Sequence, residues 1–424
     1  MTRRSFVAGT LAGAAAKGSA MAASGKVNIA IMGLRGRGLT MARWFGALPD
    51  VNIPSVCDVD QNVVGPAMKI VEELKGKPPK LFGDIRKILD DPSIDAIVMS
   101  TPIHWHAPGT ILACDAGKDV YVEKPASHNI REGRLMVEAA RGNKRVVQLG
   151  TQGRSRPLTR KFIEYVQSGK LGTVLMAKVW NVQKRRNIGH LPDEPVPEGV
   201  DYDTWTGPLP IKPFNRNRFH GTVNWHWHYG CGDIGNDGVH WLDIARWALD
   251  LGYPNEVSGM GRKIYFDDDQ QTPDTMHITY NYDNKAIHFE QRLWCSYREQ
   301  GSENTVAVYG TDGMAIIGRW EGGHHAFKVF DEQGKLILTE QEPRPDHNTH
   351  ARNFIDCIRS RKQPNADIEI GHISTVLCHL GNIVARTGRN LRFDPDTESP
   401  VGDPDAARHV GREYRQHWSS PKGV

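Results

Sequence analysis

The sequence predicts an α/β chain of two domains, a doubly wound parallel sheet followed by an α+β domain with a large, open, mostly antiparallel sheet. Three observations predict it. At 424 residues the chain is longer than one hydrophobic core ordinarily serves, so two domains are expected. Across residues 26–151, short β-branched and nearly continuous apolar runs alternate with helix-length amphipathic segments, the pattern of parallel strands covered on both faces. Beyond Gln152 the pattern becomes strands of period two joined by turn signals, as in antiparallel sheets with one solvated face.

Residues 1–25 read as a twin-arginine export signal. Arg3 and Arg4 stand in a Thr-Arg-Arg-x-Phe context, residues 6–16 form a weakly apolar run rich in Gly and Ala, and Lys17 follows it. Ala20-Met21-Ala22 offers small residues at cleavage spacing. The run is too short to span a bilayer, and no later segment reads as a span. A periplasmic or secreted destination is expected, with no membrane anchor.

The first domain is expected over residues 26–151, with strands at "VNIAIMG", "VNIPSVCD", "AIVMST", "DVYVEKP" and "VVQLGT". Residues 152–424 are expected to form the second domain. It opens with a helix near 156–168 and a strand "TVLMAKVWNV". The proline-rich stretch 184–224 that follows is too long for an idle connection and reads as a lid or pocket wall. After a helix near 238–251, Met276, Ile278, Tyr280 and Tyr282 alternate, and "YDNK", "GTDG" and "DEQG" mark turns. Helices near 347–361 and 371–387 precede an extended tail.

Composition excludes several functions. Lys and Arg number 53 against 49 Asp and Glu, a net charge of +4, and three of those cations belong to the leader. No basic stripe points to nucleic acid. The six cysteines are scattered without the short paired spacing of a zinc knuckle, redox motif or disulfide framework, so buried free thiols are expected.

In "IAIMGLRGRGLT" a strand runs into Gly33, and Gly36 and Gly38 precede a helix. Gly33 allows a tight turn, the helix N-terminus offers amides to a pyrophosphate, and Gly38 lets helix and strand pack closely. Arg35 replaces the middle glycine of G-x-G-x-x-G, and its guanidinium can pair with phosphate instead. Asp58 ends the second strand where a carboxylate accepts ribose hydroxyls, which favours NAD over NADP. Arg37 keeps NADP possible. Thr101, Pro102 and His106 in "STPIHWH", Glu123 and Lys124 in "YVEKP", and Gln152 after the last strand are expected to line the cofactor, because ligands bind at the carboxyl edge of such sheets.

Pro125 holds Lys124 extended at the strand end. An ammonium there stabilises an alkoxide and lowers the pKa of a nearby base. In "GCGDIGNDGVHWLDIARWAL" glycines precede a helix that puts His240 in its first turn, where the helix dipole disfavours imidazolium. A neutral imidazole suits a general base. Asp243, at i+3, shares its helix face and is expected to orient the ring.

Together "GLRGRG", "CDVD", "STPIHWH", "EKP" and "GDIGNDGVH" followed by "LD" resemble the glucose-fructose oxidoreductase, inositol dehydrogenase and rhizopine-catabolism (Gfo/Idh/MocA) family over essentially the whole mature chain. The resemblance implies an N-terminal Rossmann domain, a C-terminal domain whose open sheet builds a homo-oligomer (dimer or tetramer), and hydride exchange between a nicotinamide and a sugar or polyol. The family's lysine falls on Lys124 and its base on His240. Its acid, four positions earlier, falls on Asn236, which hydrogen-bonds but shares no proton, unless neighbouring Asp237 substitutes.

A small carbohydrate is the expected substrate. Trp205, Trp225, Trp227 and Trp241 offer aromatic faces, and Arg156, Arg216, Arg218, His226 and His228 offer donors to hydroxyls. His226 and His228 with His240 or Cys231 make a poor metal set, and no metal is expected. Three functions follow: a sugar oxidoreductase with a tightly bound cofactor, a glycosidase or lyase that oxidises a ring hydroxyl transiently, and a non-catalytic sugar-binding protein.

Overall fold

The computed structural model describes residues 25–320, 323–342 and 348–423, so the leader lies outside the described residues. Strands β1 (Val27–Met32), β2 (Val51–Cys57), β3 (Lys80–Phe82), β4 (Ala96–Met99), β5 (Asp119–Val122) and β6 (Val147–Leu149) form one parallel sheet in the order β3-β2-β1-β4-β5-β6. Five of these are the apolar runs of the sequence. β3 has three residues, none fully buried, too few for a periodic signal. Strand order reverses between β1 and β4, which opens a crevice at their carboxyl ends.

Both faces of this sheet are covered. Helices Arg37–Gly46 and Val64–Lys75 pack on one face, and His106–Asp115 and Ile130–Gly142 on the other. The chain also returns here late: helix Asn348–Ser360, counted with the second domain from sequence, sets Phe354 against Phe45 and Tyr121, with centroids 6.2 and 5.9 Å apart. Arg352 and Arg359 of that helix pair with Asp50.

The second sheet is built from β7 (Val174–Val182), β8 (Glu256–Arg262), β9 (Thr275–Asn281), β10 (Ala286–Arg292), β11 (Ser302–Gly310), β12 (Gly313–Trp320), β13 (His325–Asp331), β14 (Leu336–Glu342), β15 (Leu391–Asp394) and β16 (Ser399–Pro400). Its order is β14-β13-β12-β11-β7-β10-β9-β8-β15-β16. Only β7 and β10 run parallel. Met276, Ile278 and Tyr280 face the core, and the three turn signals join β9 to β10, β11 to β12 and β13 to β14. One face packs on helices Pro157–Gln167, Val239–Ala248 and Ile368–Thr387.

Helix Ile368–Thr387 corrects one expectation. It has the length and hydropathy of a membrane span, yet 78% of its apolar window is buried inside the protein. Its apolar faces meet both domains. A Cβ on Gly371 would stand 2.5 Å from the Leu149 side chain, and one on Gly133 would stand 2.3 Å from His372, so small residues set how closely this helix joins the two sheets. All six cysteines are free and buried.

A buried ion pair locks the same junction. Arg154 Nε lies 3.0 and 2.8 Å from the two Asp243 oxygens, and Ser374 donates to Asp243 at 2.6 Å. Asp243 therefore braces three segments and does not orient His240. Breaking one partner of a buried pair strands the other charge, so Arg154→Met is expected to destabilise the fold by about 3–5 kcal/mol. Urea unfolding measures this, and a loss under about 1 kcal/mol would mean that Asp243 finds another donor.

Candidate active site

The glycine turn is dictated by close approach. Gly33 has φ +84, and a Cβ there would lie 2.8 Å from the Ser100 carbonyl; a Cβ on Gly38 would lie 2.0 Å from the Gly33 oxygen. Neither space admits a side chain. Asp58 sits beside the turn, where its carboxylate accepts the amides of Leu34 at 2.7 Å and Asp60 at 3.0 Å. Burial raises the Asp58 pKa, and the two amides oppose that rise. Gly33, Arg35, Asp58, Thr101 and Pro102 line one continuous crevice. Gly36, with φ +41, caps the helix that begins at Arg37, and among the described residues the amides of Arg35 and Gly36 meet no acceptor. A cradle that a Cβ would fill, free amides and a neighbouring carboxylate fit a dinucleotide.

The stretch 184–224 forms a wall of this crevice, as its length implied. Gln61 donates to the Gly199 oxygen and Asp201 to the Val59 oxygen, both at 2.9 Å. His220 Nε2 lies 2.7 Å from Asp60, and Thr204, Trp205 and His220 complete the lining.

Three expected cofactor residues also make contacts within the protein: Arg37 and His106 line the cavity next to this crevice, and Gln152 does not. Arg37 donates to Glu123 at 2.8 Å and stacks 4.4 Å over Trp44, so Glu123 engages its charge. His106 is buried with its ring between the Pro125 and Thr101 carbonyls at 2.7 and 3.0 Å, bracing the crevice wall. Gln152 reaches the Tyr121 hydroxyl and Glu123 at 3.3 and 3.4 Å and steadies Glu123 instead of lining the crevice.

A second cavity of about 270 Å³ continues from Arg35, Gly36 and Thr101 to Glu123, Lys124 and Asn236. Lys124 Nζ donates to the Asn236 carbonyl at 2.6 Å and to its side-chain oxygen at 2.9 Å. Asn236 in turn donates to Asp233 at 3.1 Å. Arg185 bridges Asp233 and Asp237, and Gln183 also donates to Asp237. Burial raises the Asp233 pKa, whereas at Asp237 Lys124 and Arg185 outweigh burial and hold the carboxyl below its usual range. Burial likewise acts upward on Glu123, and Arg37 and Lys124 prevail to keep it ionised.

His240 stands among these groups with its pKa pushed down to about 4, first by burial and then by the Lys124 charge. The helical path begins at Gly232 and passes through a wide turn, Ile234–Gly238, so His240 lies beyond the first turn.

Most expected substrate residues belong elsewhere. Trp205 packs against His104 and Tyr229 at 5.0 and 5.1 Å, and Trp225 and Trp241 are buried in apolar clusters. His226 is buried, and His228 accompanies Pro210 in a separate cavity. Arg156 pairs with Glu342, Arg216 with Glu194 and Arg218 with Asp193. Tandem aromatic and basic residues signal burial and pairing as readily as a sugar site. The sequence reading missed Arg185, which pairs with Asp233 and Asp237 and also lines an open cavity with Tyr265, Phe266 and Trp294; a basic run just past β7 and an aromatic just past β10 were its signals. Among the described residues, His277, His288 and Glu290 bring ligand atoms within 4.8 Å of one another, but Glu290 already pairs with Lys178 and Arg292.

This fold and edge define a dinucleotide-binding oxidoreductase. Residues 27–151 match the oxidoreductase family's NAD-binding Rossmann fold and residues 160–420 its C-terminal alpha/beta domain, and the chain belongs to the Gfo/Idh/MocA family. Its similar relatives include a glycosyl hydrolase family 109 protein of Stenotrophomonas maltophilia, 33% identical over 143 residues, 31% of either chain. An alpha-N-acetylgalactosaminidase of Shewanella oneidensis is 31% identical over 118 residues, 27% of this chain and 26% of that one. The matches thus span about a third or less of these relatives. Among solved structures, aldose-aldose oxidoreductase of Caulobacter crescentus has a TM-score of 0.66 at 18% identity, covering 87% of this chain and 100% of that one. The WlbA dehydrogenase of Bordetella pertussis, in complex with NADH and UDP-GlcNAcA, has a TM-score of 0.63 at 20% identity over 87% of this chain and 99% of that one. Both share the fold.

A histidine depressed to about 4 is a neutral base above that pH and a cation below it. The acid limb of kcat/KM is therefore expected near pH 4, well below the ordinary histidine value of about 6.5. A limb near the ordinary value would assign the base to another group.

Proposed function

We propose that the protein is an exported NAD-dependent oxidoreductase acting on a sugar hydroxyl or carbonyl, with its cofactor held tightly. One observation carries this reading: Lys124, held by Asn236, lines the end of the cavity that continues from the glycine turn, and its charge acts on a neutral His240. Gly33, Arg35, Gly36 and Asp58 would hold the dinucleotide, which when bound supplies hydride acceptance and return. His240 takes the proton of a sugar hydroxyl, Lys124 stabilises the alkoxide, and both act in reverse on a carbonyl. Tyr265, Phe266 and Trp294 offer the sugar an apolar wall beside Arg185.

Asp58 and the engagement of Arg37 with Glu123 favour NAD over NADP. The twin-arginine leader, which moves folded proteins, and the wall over the crevice support export with the cofactor enclosed. A homo-oligomer through the outer face of the second sheet completes the proposal. The redox-assisted glycosidase remains the second reading, favoured by Asn236 in place of an acid and by the glycosidase names of the matched relatives.

Three outcomes are expected. His240→Ala loses about 10²-fold or more in turnover while keeping its cofactor; near-normal turnover would remove His240 from the chemistry. Asp58→Ala weakens NAD and narrows its advantage over NADP, and tighter NADP binding by the unaltered protein would refute the assignment of Asp58. Purified protein releases NAD(H) on denaturation and oxidises one sugar while reducing another without added cofactor. Release of a glycosidic alcohol with no oxidised sugar product would select the second reading, and an empty supernatant with strict dependence on added NAD would end the claim of tight binding.

A further inference from the structure

A separate cavity of about 470 Å³ lies between the tail segment 408–413, helix Ile368–Thr387 and residues 210–231. It shares no lining residue with the crevice, the catalytic cavity or the aromatic cavity. Its volume suits a small molecule.

Two features make it unlike a packing defect. The first is charge: Lys212, Arg386, Arg408 and Arg412 line it against a single carboxylate, the exposed Glu413. Arg408 is paired with Asp405, and Glu132 attracts Arg412 from behind. Lys212 and Arg386 meet no acceptor among the described residues; Arg386 only stacks on Trp227 at 5.1 Å.

The second is a set of buried polar atoms without partners. Arg412 donates to the His228 carbonyl at 2.6 Å, but its Nε and Nη1 are buried and donate to nothing. His128 Nδ1, His379 Nε2 and Asn382 Oδ1 are buried and unpartnered as well. Native proteins satisfy such atoms almost everywhere, with protein, water or ligand. Burial, joined at His128 by the Arg412 charge, keeps both imidazoles neutral. The site therefore offers cations together with neutral hydrogen-bonding groups.

We propose that this cavity is a second ligand site, which takes a small polyhydroxylated anion, a sugar acid or sugar phosphate. Lys212, Arg386 and Arg412 receive its anionic group, and His128, His379 and Asn382 receive its hydroxyls. Forked and ammonium donors match carboxylate and phosphate alike. The site stands independently of the redox reading, because none of its residues belongs to the catalytic edge.

Titration calorimetry on the full chain tests it, with glucuronate, glucose 6-phosphate and neutral glucose as probes and NAD present. One or both anions are expected to bind at least about tenfold more tightly than glucose, and the preferred anion identifies the acid. Arg386→Gln and Lys212→Gln, which remove groups with no protein acceptor, are each expected to weaken that binding about tenfold. Arg35→Ala, at the cofactor crevice, leaves it unchanged. No anion binding at about 10 mM, equal binding by both Gln variants, or loss of binding in Arg35→Ala would each overturn the proposal.

Discussion

The proposed catalytic edge depends on where Lys124 finds its oxygens. Its ammonium contacts two oxygens of a neutral residue, Asn236, while the nearby carboxylates are held by other cations: Glu123 by Arg37, and Asp233 and Asp237 by Arg185. Among the described residues no carboxylate touches the ammonium directly, and its charge adds to burial in lowering the His240 pKa. An acid at position 236 would pair with Lys124 and blunt that field. The Asn at 236 thus gives up proton sharing and leaves the ammonium unpaired by a carboxylate, as the proposed role toward an alkoxide requires.

That arrangement is possible because the two domains are held in register at short range. Gly33, Gly38, Gly133 and Gly371 each occupy space that a Cβ would fill, between turn and strand or between helix and neighbour. The buried Arg154–Asp243 pair and Ser374 tie the domain connection to two helices of the second core. A shift of about 1 Å at these contacts would separate Lys124 from Asn236, since a hydrogen bond fails beyond about 3.5 Å. Close packing here is a condition of the chemistry as well as of stability.

Much of this was legible in the sequence, and the reasons divide cleanly. The five apolar runs, Gly33, Gly38, Asp58, Lys124 and the wall formed by 184–224 were readable because strand burial, turn sterics and sheet topology are local rules with a fixed consequence. The role of Asp243 was misread because i+3 spacing says which residues share a helix face, not which neighbour that face meets; Arg154 and Ser374 claimed it. His240 was read at a helix start because glycines precede it, but the helical path runs through them. Trp205 and Arg156 followed the same pattern, with residue type visible and long-range partner hidden. Arg185 was missed because its importance arises only from Asp233 and Asp237, some fifty positions away in the chain.

The wall over the crevice bears on how the proposed cofactor is retained. Gly199, Asp201 and His220 are bound to Gln61, Val59 and Asp60, all at the end of β2 where Asp58 also stands. A dinucleotide in this crevice would lie against that wall, whose contacts all fall on residues 59–61. Asp60 is buried and its partner His220 is held neutral chiefly by burial, so the latch is a hydrogen bond more than an ion pair and is weakly sensitive to salt. A latch of that kind suits a protein proposed to cross a membrane folded and to work where free cofactor is scarce. It also implies a cost: a cofactor that does not exchange must be restored in place, which requires the cavity beside Lys124 to accept both a hydroxyl to be oxidised and a carbonyl to be reduced. Arg185, which pairs with Asp233 and Asp237, also lines an open aromatic cavity that the proposed alternation could use without opening the wall.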